Sequence, residues 1–142
     1  MNNNLKVLNE IHKGLIMGME SISVIKSKVE EPEFRTLLNN QYSEYSNILE
    51  KVNNKFEKYN EKADDTTPIE KIMGWTSIQF DTLTDHSASK ISDMLIRGTT
   101  MGIIEGRKML NTNLSVDNEV TNILQEFVDM QEEDIEKLKE WL

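Results

Sequence analysis

Two short spacings in this chain could do chemistry: Gln41-x-x-Glu44 and Gln131-x-x-Asp134. Residues three apart on a helix share a face, so each pair can present two oxygen-bearing side chains to a neighbouring helix. Bundles that hold two iron or manganese ions between helices use this geometry, with a Glu from each of two helices and a Glu-x-x-His from each of the other two. Here both spacings open on a neutral glutamine, and neither supplies a histidine. The only histidines are His12 and His86. His12 stands where it can point into a helical core near Gln41, whereas His86 follows Asp85 in a polar, turn-like stretch and is expected on the surface. If a metal binds, its ligands are Glu44, Asp134, Gln41, Gln131 and His12. The competing reading makes these polar groups hydrogen-bonding partners across a core. The expected cofactor is therefore none, with iron or manganese as the alternative.

Other chemistries are less well supplied. The chain has no cysteine, so thiolate nucleophiles, thiolate metal sites and disulfides are absent together. Gly98-x-x-x-Gly102-x-x-x-Gly106 lacks the preceding strand and following Lys-Ser/Thr of a phosphate loop. Two histidines in these contexts do not assemble a nucleophile, base and orienter. With 16 Lys+Arg against 25 Asp+Glu the net charge is -9, which disfavours nucleic acid and anionic membranes as partners. The N-terminal residues resemble no signal peptide, and the apolar run from Ile72 to Phe80 is too short to span a bilayer. A cytoplasmic protein is expected.

The elements that must position these residues are helices. Leu8, Ile11, Leu15, Gly18, Ile22, Ile25 and Val29 step by three and four, which predicts helix one over 3–30. Pro32 opens helix two over 32–62, whose stripe runs Phe34, Leu38, Gln41, Tyr45, Ile48, Val52 and Tyr59. Thr67-Pro68-Ile69-Glu70 is a capping box, and unbroken helical steps from Ile69 to Met101 predict a long helix three over 68–110. A kink near 84–89, where Asp85 and the serines could recap the chain, is the alternative. Helix four follows over 117–142, capped by Ser115 or Asp117. No segment alternates with period two, so the fold class is all-α: one domain, an up-down-up-down four-helix bundle.

Glycine usage carries the rest of the architectural signal. All six glycines fall within predicted helices, and five form ladders: Gly14 and Gly18 on helix one, Gly98, Gly102 and Gly106 on helix three. Each costs roughly 1 kcal/mol against alanine inside a helix. The ladders imply that helices one and three cross closely, or that one of them meets a second copy of the chain. Met17-Gly18-Met19 matches Met101-Gly102-Ile103, and the helix-two pattern around Gln41 and Glu44 matches that around Gln131 and Asp134. These echoes suggest two related hairpins stacked with pseudo-twofold symmetry.

The segment Thr82-Leu83-Thr84-Asp85-x-Ser87-x-Ser89-x-Ile91-x-x-Met94-Leu95-Ile96-x-Gly98-x-Thr100-Met101-Gly102-Ile103 resembles a family of small, uncharacterised ferritin-like or spore-coat-like proteins of low-GC spore-forming bacteria. The likeness extends over most of the chain, including Met17-Gly18 and the helix-end patterns Asn-Ile-Leu and Glu-Lys-Leu-Lys. It implies a ferritin-like four-helix bundle and no established activity. Where that pattern often carries a histidine, this chain has Lys90, which puts a metal role for that position in doubt. The expected function is a non-catalytic bundle acting through self-association, a dimer favoured, or through a protein partner. The alternative is a degenerate di-metal protein.

Overall fold

A computed structural model describes residues 2–64, 83–112 and 115–142. Within them the chain forms α1 (Asn3–Ile25), extended by a 3-10 turn over Lys26–Lys28, α2 (Pro32–Lys58), α3 (Ala88–Asn111) and α4 (Asn118–Lys139). There is no strand among the described residues. No helix among them is long and apolar enough to cross a membrane.

Local chemistry sets each boundary. Pro32 takes the first turn of α2, as its missing N–H and fixed φ favour. The helix ends at Lys58, four residues short of the expected limit, because Asn60 adopts φ 55. The Glu61 amide then donates to the Phe56 carbonyl at 2.9 Å and the Asn60 amide to Glu57 at 3.0 Å, which is the Schellman closure. The unbroken helix over 68–110 is corrected as well. Leu83 to Ser87 lie outside any helix, and α3 begins at Ala88. Asp85 accepts the Ser87 amide at 2.9 Å, and the Ser87 hydroxyl accepts the Lys90 amide at 3.2 Å, so side chains satisfy the donors that a continuous helix would use. The Pro68 capping box lies outside the described residues.

Side-chain contacts fix the helix directions. The Asn4 side chain accepts the Asp117 amide at 2.8 Å, and Phe127 lies against Gly14, so α1 and α4 run parallel. On α2, Tyr59 and Lys55 reach Asp117 and Glu119 at the start of α4, whereas Gln41 reaches Asp134 near its end. Gly106 and Gly102 of α3 meet Val128 and Gln131 of α4 in reversed order. Both α2 and α3 are thus antiparallel to α4 and parallel to each other. The order is up-down-down-up, correcting the up-down-up-down expectation. α3 starts beside Phe34 and Leu138, at the end of the bundle where α2 began.

The glycines make sockets for side chains; direct contact between the backbones of α1 and α3 is not what they provide. A Cβ on Gly18 would overlap the edge of the Tyr45 ring, and one on Gly102 would overlap the Gln131 carboxamide. A Cβ on Gly14 would lie 2.9 Å from Phe127, and one on Gly106 2.6 Å from Val128. Gly98 is different, with nothing within 4 Å. Substitutions should separate these cases. At low protein concentration Gly18→Ala is expected to lose ~1–3 kcal/mol by overpacking, and Gly102→Leu more. Gly98→Ala should gain up to ~1 kcal/mol of helix propensity. Chemical denaturation of the three variants checks the contrast, and equal effects at positions 18 and 98 would contradict the socket account.

Candidate functional site

The buried apolar residues form two clusters. One gathers Leu8, Ile11, Leu15, Ile48, Val52, Phe56, Leu124 and Phe127, and the other Ile22, Ile25, Phe34, Leu38, Ile91 and Leu138. Between them the inward positions turn polar: Gln41, Glu44 and Tyr45 on α2, Thr99 on α3, and Gln131 and Asp134 on α4. Gln41, Gln131 and Asp134 are 4%, 3% and 1% exposed. Gly18 and Gly102 lie beside this layer and admit Tyr45 and Gln131 to it. Each hairpin therefore uses a glycine on its first helix to seat a polar side chain from its second.

The layer has more acceptors than donors. Gln41 Nε2 donates to the Asp134 backbone carbonyl at 3.5 Å, a long bond. The Tyr45 hydroxyl takes hydrogen bonds from Thr99 and Gln131, and burial with the nearby Asp134 charge raises its pKa. Gln131 Oε1 and both carboxylate oxygens of Asp134 are buried without a donor. Burial pushes the Asp134 carboxyl up to about 8, and the charge of the neighbouring Glu44 acts in the same direction. Lys137 opposes the shift. Asp134 is therefore held towards its neutral form near neutral pH.

Of the residues singled out in sequence, the structure gathers Gln41, Glu44, Gln131 and Asp134. It leaves His12 elsewhere, half-buried with its ring edge-on to Phe56 at 6.4 Å between centroids. From Gln41 to Phe56 is roughly 20 Å along α2 at ~1.5 Å per residue, so His12 does not complete a ligand set with Gln41. Burial lowers the His12 pKa, which fits packing against Phe56. His86 is exposed and bonds the Leu83 carbonyl at 2.8 Å. Tyr45 and Thr99 join the layer without having been singled out. Tyr45 reads as one more member of an apolar stripe, and the only available hint was Thr99 lying between Gly98 and Gly102.

A di-metal centre of the carboxylate-bridged kind does not fit these residues. It calls for four carboxylates and two imidazoles, whereas the layer supplies two carboxylates and two carboxamides. Among the described residues no three His, Cys, Asp or Glu side chains come together as a metal-holding group.

The proton has a measurable consequence. The folded pKa of Asp134 lies above its ordinary 3.8, so the folded state binds the proton more tightly than the unfolded chain. That contribution is complete below the ordinary value and is lost as pH rises towards about 8, at up to ~1.4 kcal/mol per pH unit. Asp134→Asn, which cannot ionise, should flatten this fall. Thermal unfolding of both proteins from pH 5 to 9 checks it. The variant should gain on the wild type as pH rises, and parallel curves would contradict the assignment.

No protein-family model matches the chain, and no curated protein does. A solved structure does match, a dodecameric thioferritin described as the bacterioferritin-related protein from Bacteroides fragilis. The TM-score is 0.77 at 11% identity, over 98% of this chain and 83% of that one. The fold is therefore a ferritin-like four-helix bundle.

Proposed function

We propose that this protein is a non-catalytic ferritin-like bundle that acts by associating with copies of itself or with a protein partner. In this reading its central polar layer holds the helices in register. The observation that carries it is the donor set at the bundle centre. Glutamine stands in both Gln-x-x-acid spacings, burial holds the Asp134 carboxyl towards its neutral form, and His12 lies against Phe56, away from Gln41. A layer of this composition binds its own hydrogen atoms more readily than a pair of metal ions. Association is supported by the neighbour's being described as a dodecamer. In this reading such an assembly would serve in stress or sporulation in the cytoplasm, as the resemblance to proteins of spore-forming bacteria suggests.

A second reading has its own support. Gln131 Oε1 and the Asp134 carboxylate are buried acceptors without donors, and a cation satisfies such oxygens as a proton does. The neighbour's description as a thioferritin points the same way. Iron or manganese held by Glu44, Asp134, Gln41 and Gln131 is that alternative. Metal analysis of untagged protein, before and after incubation with Fe(II) or Mn(II), separates the two. The first reading predicts no stoichiometric metal; stoichiometric metal that disappears in Glu44→Ala would establish the second.

A further inference from the structure

Among the described residues nothing covers the outer face of α3, which carries two large apolar side chains between charged ones. Met101 is 69% exposed and Ile104 47%, two of four large hydrophobic side chains exposed among the described residues. Gly98, one turn before Met101, leaves open space beside them. The charges on this face are arranged about Met101. Arg97 lies one turn before it and pairs with Asp93 at 2.6 Å; Glu105 lies one turn after and pairs with Lys108 at 3.6 Å. These four charges cancel, on a chain whose net charge is -9. This is therefore a face where two copies can meet without the repulsion that the whole molecule carries.

A stripe ordered in this way complements itself after a half-turn. We infer that α3 docks antiparallel on α3 of a second copy, with the twofold axis passing beside Met101. The pairing brings Glu105 of the partner subunit level with Arg97, and Ile104 of the partner subunit level with Gly98, where the missing side chain leaves room. Lys108 of the partner subunit comes level with Met94, beside Asp93. Symmetry repeats every contact, as an isologous interface requires. Opposite charges meet at both ends of an apolar centre, so the surface selects another copy of itself over an unrelated acidic protein. The inference rests on the self-association reading above and adds the face and the partner.

Sedimentation equilibrium of the untagged chain tests it, with circular dichroism confirming that each variant stays helical. The wild type should show at least twice the chain mass. Met101→Glu and Arg97→Glu should each cut the observed mass by half or more, and Arg97→Glu/Glu105→Arg should restore it, because the swapped charges still meet across the twofold. Loss in the single variants with recovery in the double establishes the pairing. A wild-type mass retained in Met101→Glu overturns this interface and leaves self-association standing on another surface. A double variant no better than Arg97→Glu overturns the register. A monomeric wild type overturns both the interface and the reading on which it rests.

Discussion

A carboxyl group buried to the extent of Asp134 must hold a proton, meet a cation or accept hydrogen bonds, because an isolated charge in an apolar interior is prohibitively costly. Among the described residues no donor reaches either of its oxygens, and the charge of the neighbouring acid, Glu44, raises the cost of ionising it. The proton is the least demanding answer, and much of the bundle's centre is arranged around it. Gln41 spans from α2 to the Asp134 backbone, Gln131 and Thr99 engage Tyr45, and Gly18 and Gly102 clear the space that admits Tyr45 and Gln131. One polar layer therefore ties α2, α3 and α4 at a single height, and α1 takes part through the gap at Gly18.

That layer divides the apolar core into two clusters which, by themselves, would tolerate sliding. Leucine, isoleucine and valine contacts are nearly indifferent to a one-turn shift, whereas a displaced Gln41 or Gln131 would meet hydrocarbon. Polar groups in a core are a known means of fixing register at some expense of stability. Surface pairs between α2 and α4, Lys51 with Glu126 at 2.8 Å and Lys55 with Glu119, follow the same alignment. Exposed pairs of this kind each contribute little, so the register is held mainly at the centre.

Much of this arrangement was legible in the sequence, though unevenly. The helical stripes located all four helices, and the two Gln-x-x-acid spacings marked the residues that meet at the centre. The glycine ladders flagged the level at which they meet, but their meaning was not readable, since spacing cannot say whether a missing Cβ admits a backbone or a ring. The end of α2 at Lys58 depends on Asn60 taking a left-handed conformation, and the start of α3 on hydrogen bonds from Asp85 and Ser87. The first signal is hidden in a run of helical steps, whereas the second matches the alternative of a recap by Asp85 and the serines near 84–89. Helix direction was misjudged for a related reason: an apolar stripe does not say in which sense a helix runs against its neighbours. His12 fell on an inward stripe at the wrong height, because a stripe gives the face of a helix and not its partner's level.

The measurement that bears most directly on the account is carbon-13 NMR of the Asp134 side-chain carboxyl, followed from pH 4 to pH 10 in metal-free protein. A carboxyl that stays protonated through neutral pH and titrates near 8 is the predicted result. Titration near the ordinary aspartate value would contradict it, because Asp134 would then carry its charge into the core and the central layer would have to be balanced by something other than a proton.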